Sequence, residues 1–420
     1  YHPEDAPSTP YTEWTFSGNI NRMPEFAAPK LGKFDNDVQM EINVPENANG
    51  VLYALGSFSG GLSCYVKDGY LCYEYNLFEI ERTQIKSKTK LPSGDLNIEV
   101  VSRLTSPKPA SSMDVVLKVN GKEVSRLDLK DKRVLISLES KSLGDTIGWT
   151  PYAVKFAKKH KCKVVISTFH NDWFKNLKSY KDVEWLEPGN ATGCTAHYRI
   201  GWFRDDKEGW QNFDMHPRQC NVIPMQATSS DILGLKEEEL NYGLDFPKGK
   251  RPYKEKYIVI GPNATSGCKE WVYNNWVILS KLLQQQGYKV ISLTKNEWKL
   301  KGVINHYNQP LDVVANYLHH ADLFIGLGSG LSWLNWALGK HTIMINGFSD
   351  KHHEFTSRVT RIMNDDACFP CWTNRNFVFN SGDWDWCPIH KGTEKQHICQ
   401  KSITPNQVFK AVKNKLTSKK

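Results

Sequence analysis

At 420 residues, 40% hydrophobic and 24% charged, the chain is long enough for two or three full cores and has the composition of a globular protein. No apolar stretch approaches the length of a membrane-spanning helix and no solenoid repeat or low-complexity run is present, which excludes an intramembrane enzyme and a repeat array. The net charge of +9 permits an anionic ligand without demanding one, because Lys410, Lys413, Lys415, Lys419 and Lys420 gather much of the excess into a solvated tail. Nothing at the start reads as a signal peptide, although Tyr1 is not an initiator Met.

The first part, residues 1–126, reads as all-β. Short alternating runs such as VLYALGSFSGGLSCYVKDGYLCYEYNLF and MDVVLKVNGKEVSRL are punctuated by Gly, Pro and Asn, and the pairs Asp68-Gly69 and Asn120-Gly121 are hairpin signals. From Arg133 the pattern changes. RVLISLE reads as a buried strand, followed by a helix over about Thr150 to His160 and the strand CKVVIST. A second series holds YIVIG, a helix over NNWVILSKLLQQQ, then KVISLT, DVVANYLHH, DLFIGL, LSWLNWALG and HTIMING. Apolar strands alternating with helices predict an α/β fold with doubly wound parallel sheets. An irregular stretch from about Thr192 to Lys250 separates the two series. The expected order is therefore two Rossmann-like domains at 131–248 and 250–360, a cysteine-rich finger at 361–402, and a C-terminal helix with a basic tail at 403–420. Two such domains facing across a cleft make the GT-B architecture of nucleotide-sugar transferases, which is a matter of organisation and not yet of function.

Three loops at strand ends carry residues suited to chemistry. Asp145, in SLGDTIGW after the first parallel strand, faces the crevice in which open α/β sheets bind ligands. A carboxylate there suits a general base, a role worth about 10²–10⁴ in rate; the competing reading is a cap for the following helix. In GLGSGLSWLNW, Gly328 and Gly330 let the backbone approach an anion, Ser329 and Ser332 add hydroxyls, and Leu331 and Trp333 complete a turn on the diphosphate side, unless this is a plain strand-to-helix turn. In GPNATSGCKEW, Thr265 and Ser266 are candidate phosphate donors and Lys269 a candidate to offset charge on a departing diphosphate, against the alternative of a solvated lysine. Two sequons, Asn263-Ala264-Thr265 and Asn190-Ala191-Thr192, are read as coincidence, and His319, His320, His352 and His353 as surface or capping residues.

Cys368, Cys371, Cys387 and Cys399 gather four of the ten cysteines at the spacing C-x2-C-x15-C-x11-C. A CxxC knuckle closed by a second pair predicts a tetrahedral thiolate site, with iron or zinc both admissible, zinc the usual structural ion, and His390 or His397 able to replace a thiolate. Unrelated free thiols and disulfides are the alternatives. The other six cysteines, Cys64, Cys72, Cys162, Cys194, Cys220 and Cys268, are scattered as in a reducing compartment. Sparse basic residues and the acidic Asp383 and Asp385 within the finger argue against nucleic-acid binding.

From about Leu129 onward the chain resembles the bacterial autotransporter heptosyltransferases, inverting GT-B enzymes related to the lipopolysaccharide heptosyltransferases. The matching pieces are VLISLESKSLGDTIGWTPYAVKF, HYRIGWF, ATSSDILGL, the CKEW loop, FIGLGSGLSWLNWALG, INGFSDKHHEF and the four-Cys tail ending HICQKSIT. The resemblance implies transfer of heptose from ADP-heptose to Ser or Thr hydroxyls of an autotransporter β-solenoid in the cytoplasm. It also implies Asp145 as base, Lys269 as diphosphate partner, and structural iron on Cys368, Cys371, Cys387 and Cys399. A homo-oligomer is compatible with it, although the first 125 or so residues depart from the family and are similar instead to the C-terminal β module of bacterial arylsulfatases. The sulfatase nucleophile motif survives only as Cys368-Phe369-Pro370-Cys371-Trp372, with Trp where Arg is required, so sulfate-ester hydrolysis is not expected. Two alternatives stand beside this: a GT-B transferase using another nucleotide sugar for surface glycan assembly, and a non-catalytic glycan-binding protein.

Overall fold

The structure is a computed structural model that describes residues 10–57, 60–77, 81–106, 111–189, 193–203, 212, 215–216, 218–380 and 382–418. The sequon at Asn190 to Thr192, and residues 204–211 of the irregular stretch, lie outside the described residues. The chain divides into two compact units, Tyr1–Thr105 with Pro109–Asp128, and Ser106–Lys108 with Leu129–Lys420.

The first unit holds eight strands: β1 (Asn36–Val44), β2 (Gly50–Ser57), β3 (Gly60–Lys67), β4 (Tyr70–Leu77), β5 (Glu81–Lys86), β6 (Gly94–Leu104), β7 (Met113–Val119) and β8 (Lys122–Leu127). They form two four-stranded antiparallel sheets, ordered β1-β6-β7-β8 and β2-β3-β4-β5. Asp68 and Gly69 join β3 to β4, and Asn120 and Gly121 join β7 to β8. All four have positive φ, the backbone that a two-residue turn needs to match strand twist. Alternate side chains of each sheet point into one core, where Cys64, Leu71, Ile98, Val100 and Leu117 are fully or almost fully buried.

The second unit begins with β9 (Arg133–Leu138), α1 (Leu143–His160), β10 (Lys163–Ser167), α2 (Asn171–Phe174), β11 (Glu184–Trp185), β12 (Ala196–Ile200) and α3 (Ala227–Ile232). It continues with β13 (Tyr257–Gly261), α4 (Tyr273–Gln285), β14 (Lys289–Thr294), β15 (Ile304–Tyr307), α5 (Leu311–His320), β16 (Leu323–Leu327), α6 (Gly330–Ala337), β17 (Thr342–Ile345) and β18 (Val359–Ile362). Two short helices close the chain, α7 (Ile398–Lys401) and α8 (Pro405–Thr417). Both sheets are parallel, in the orders β11-β10-β9-β12 and β15-β14-β13-β16-β17-β18. β13 and β16 are buried along their whole length, which is why they read as unbroken apolar runs.

Two local expectations change. The first helix starts at Leu143, not near Thr150, with Ser142 as its N-cap and Pro151 inside it. Proline suits a first turn because it has no N–H to leave unpaired, so Pro151 reads as a start signal although eight helical residues precede it at 143–150. The stretch expected to be irregular contains β12, which pairs in parallel with β9 from Ala196↔Val134 to Ile200↔Leu138. Counted along the chain, the second sheet has the doubly wound order 3-2-1-4-5-6 and the first has 3-2-1-4. Such sheets bind ligands at the carboxyl ends of the strands where the order reverses. Those strands are β9 and β12 in the first sheet, β13 and β16 in the second.

Candidate active site

The four reversal strands deliver the four segments that matter. Asp145 follows β9, Trp202 follows β12, Lys269 follows β13, and the turn Gly328-Ser329-Gly330 follows β16. The helices after β9 and β16 meet at their N-terminal ends because glycines let them. A Cβ on Gly144 would stand 2.9 Å from Trp333 Cδ1, one on Gly148 would stand 3.4 Å from Trp333 Cζ3, and one on Gly330 would stand 3.0 Å from Leu143 Cβ. The Trp333 indole thus lies along the groove left by Gly144 and Gly148, one helical turn apart.

Asp145 lies in the first turn of α1, not in the loop before it, and Ser142 takes the cap position. The residue is 9% exposed. Oδ2 accepts from Ser140 Oγ at 2.6 Å and from the Trp202 indole N–H at 2.7 Å. Burial pushes the carboxyl above its ordinary value, against the opposing pull of the Ser140 and Trp202 donors and of the Lys269 charge. The result is a carboxylate more basic than a solvent-exposed aspartate, with donors that fix its direction.

Lys269 reaches the carbonyl of Gly328 at 3.5 Å, so the loop after β13 touches the turn after β16. Its ammonium also lies over the Phe348 ring, 5.3 Å from the centroid, and its charge is felt at Asp145, His353 and Glu354. The remaining expected phosphate donors divide. The Ser329 hydroxyl is buried with no hydrogen-bond partner among the described residues, at the N-cap of α6. Thr265 is exposed and Leu331 half-buried. Ser332, by contrast, is fully buried and gives its hydroxyl to the Leu327 carbonyl. Ser266 bonds the Trp384 carbonyl at 3.1 Å. Trp333 is 3% exposed and packs edge-on against Trp336 and Phe355. In all three the side chain is engaged by other parts of the protein, which sequence does not reveal, because a strand-to-helix turn looks the same whether it faces a ligand or a neighbouring element.

Sequence reasoning missed the group behind the turn. Glu354 Oε2 pairs with Arg361 Nη1 at 2.8 Å, and its Oε1 accepts from Ser349 Oγ at 2.7 Å, with both side chains of the ion pair under 10% exposed. Gly328 makes room for it, since a Cβ there would be 2.8 Å from Glu354 Oε1. Burial raises the Glu354 carboxyl, but Arg361, His353 and Lys269 outweigh it and hold the group below its ordinary value. His353, expected at the surface, is buried. Its Nε2 accepts from the Trp372 indole at 2.9 Å, so Nδ1 carries the proton and donates to the Ile223 carbonyl at 2.9 Å. The only advance signal for either residue is the INGFSDKHHEF segment, whose acid follows strand β17.

The four finger cysteines are neighbours. Burial and then the other thiols push Cys371 and Cys399 each up to about 12, with Cys368 and Cys387 among the causes for both. Four thiols close enough for Cys368 and Cys387 to act on both Cys371 and Cys399 suit a metal that would take them as thiolates. Their side chains are nonetheless not drawn into a shell: among the described residues no group of three or more His, Cys, Asp or Glu is gathered for a metal ion. His397 bonds the Asp385 carbonyl at 3.2 Å. Around the cysteines, Phe348, Trp372, Phe377, Phe379, Trp386 and Cys268 form a small aromatic core. No helix among the described residues is long and apolar enough to cross a membrane.

The sequence pattern of glycosyltransferase family 9 (heptosyltransferase) matches residues 222–377. The autotransporter heptosyltransferase Aah of Escherichia coli is 34% identical over 299 residues, which are 67% of this chain and 74% of that protein. The crystal structure of the dodecameric iron-containing heptosyltransferase TibC in complex with ADP-D-β-D-heptose, from Escherichia coli, superposes with a TM-score of 0.65 at 28% identity, over 75% of this chain and 86% of that one. BimC of Burkholderia thailandensis, described as an inactive autotransporter heptosyltransferase, is 27% identical over 68% of this chain and 70% of its own length.

Proposed function

This chain belongs to the autotransporter heptosyltransferases, and we propose that it moves a heptose from ADP-heptose to Ser or Thr hydroxyls of an autotransporter-type β-solenoid. The observation that carries the reading is the Asp145 carboxylate, buried, made more basic, and aimed by Ser140 and Trp202 where the ends of α1 and α6 meet near Lys269.

Asp145 takes the proton of the acceptor hydroxyl as its oxygen bonds the anomeric carbon. The bond from that carbon to the diphosphate oxygen breaks, and ADP leaves with the electron pair. Attack opposite the leaving group inverts the anomeric centre. Lys269 offsets the charge that grows on the departing diphosphate, and the Ser329 hydroxyl with the first N–H groups of α6 faces the same oxygens. The first lobe takes the acceptor and the second the donor.

Cys368, Cys371, Cys387 and Cys399 would hold structural iron in the finger, a reading supported by the Cys371 and Cys399 thiols, which burial and their thiol neighbours push up, and by the iron of TibC. When bound, the ion supplies a closed crosslink with no position open for substrate. The ten free thiols suit action in the cytoplasm before the acceptor is exported, and TibC supports assembly into a homo-oligomer.

An inactive relative makes turnover the property to measure. ADP release is followed from ADP-heptose, ADP-glucose and a UDP-sugar, with and without a Ser-rich β-solenoid acceptor. Acceptor-stimulated release from ADP-heptose alone supports the proposal. Turnover of another donor in its place refutes the heptose, and silence on every donor leaves a binding protein.

A further inference from the structure

Trp202 connects two parts of the molecule that the proposed chemistry treats separately. One end of its indole donates to Asp145 Oδ2 at 2.7 Å. Its ring sits between two other tryptophans: Trp149 of α1, with centroids 5.7 Å apart at 51°, and Trp372, 5.8 Å away and edge-on at 72°. Trp149 is fully buried and its indole is tied to the Met225 carbonyl at 2.9 Å, so that wall does not move. The opposite wall, Trp372, comes from the cysteine finger, directly after Cys371.

Trp372 is itself fixed at several points. Its backbone N–H donates to the Phe348 carbonyl at 3.1 Å, and its carbonyl accepts from Asn221 Nδ2 at 2.6 Å. Its indole N–H donates to His353 Nε2 at 2.9 Å. Its ring stacks on Phe348 at 5.7 Å and meets Phe379 edge-on at 5.0 Å. Thr373, the next residue, holds the backbone N–H of Asp350 at 3.0 Å. These contacts tie the ring into the small aromatic core of the finger and hold it in one orientation, in which it meets Trp202 edge-on.

We propose that Trp372 is a positioning residue for the reaction: the cysteine finger presents it against Trp202, so that the Trp202 indole stays on Asp145 and the finger sets the protonation of the base. The proposal rests on the transfer reading, in which Asp145 is the base. The charged group that faces Asp145 is Lys269, from the loop after β13. His353, beyond Trp202, is pushed below its ordinary value by burial and has both ring nitrogens engaged. An indole N–H on the carboxylate favours its charged form, so its loss moves the titration of Asp145 upward.

The test reads that titration directly, without turnover. Protein labelled with ¹³C at the aspartate carboxyl carbons is titrated by NMR, and the D145N spectrum assigns the Asp145 signal by difference. In W202F the midpoint rises by about one to two pH units, the loss of one hydrogen bond to an ionised group. In W372A it moves in the same direction, and in W372F, which keeps an aromatic edge against Trp202, it returns to the wild-type value. W372L fills the same apolar space without that edge and carries the same expectation as W372A should the smaller residue fail to fold. A wild-type midpoint in folded W372A or W372L overturns the proposal, as does a shift in W372F as large as in W372A. Absence of turnover in the wild-type protein refutes the transfer reading instead and leaves the carboxyl titration readable.

Discussion

Replacing Glu354 by Gln tests how the buried ion pair behind the glycine turn holds the donor side of the site. The change removes one charge from a pair whose side chains are 6% and 9% exposed and leaves Arg361 charged in the interior. Breaking a buried pair from one side costs about 3–5 kcal/mol, because the remaining charge has lost its partner while still lacking water. The low end applies here. Glutamine keeps an acceptor for Ser349, which now bonds Glu354 at 2.7 Å, and Arg361 keeps the Phe355 carbonyl at 2.7 Å. A loss of about 3 kcal/mol lowers Tm by about 5 °C in a unit of this size. Urea and thermal unfolding of E354Q, R361M and the double variant check the reasoning. The double variant recovers most of the loss, since no charge is then buried alone. Equal instability of E354Q and E354Q/R361M refutes the account. The pH dependence has a definite sign. The folded carboxyl lies below its ordinary value, so its contribution is complete above the unfolded value of about 4.3 and is lost as pH falls through the folded one. E354Q flattens that acid loss.

D145N keeps acceptors for Ser140 and Trp202 but cannot take a proton, so kcat falls by about 10²–10⁴ while donor affinity, measured by calorimetry, is retained. In the wild-type enzyme kcat/KM rises with pH through an acid limb above the ordinary aspartate value, because burial raises Asp145 and only its charged form is a base; a limb at or below that value contradicts the assignment. G144A drives a methyl to within 2.9 Å of the buried Trp333 ring and costs about 1–3 kcal/mol in unfolding experiments, with a loss of kcat as α1 and α6 separate. C399S removes one of four thiols, so metal analysis finds the finger emptied and near-ultraviolet circular dichroism reports loosening of the aromatic core around Phe348, Trp372 and Trp386.

The strands were legible where both faces are covered. β13 and β16 are continuous apolar runs and could be placed to within a residue or so. β12 was not, because its alternation of His197 and Arg199 with Tyr198 and Ile200 is confined to five residues inside a long stretch with no other regular pattern. The start of α1 was hidden by Pro151, whose local preference for a first turn is overridden by packing along Gly144 and Gly148. Asp145, Lys269 and Gly328 stand out in the sequence from their places after strands, and the structure brings their segments together. Glu354 and Arg361 were not found, because their meaning lies in a contact with a glycine that leaves no trace in spacing. Trp202 carries no signal beyond its place in HYRIGWF, since a hydrogen bond spanning 57 positions has no local signature.

The most direct measurement of the central claim is intact-mass spectrometry of a Ser-rich β-solenoid acceptor incubated with ADP-heptose and the wild-type enzyme or D145N. Wild-type enzyme is expected to add whole anhydroheptose units to Ser or Thr, located by peptide fragmentation, and D145N to add none in the same time. An unmodified acceptor with wild-type enzyme, or equal modification by D145N, contradicts the account.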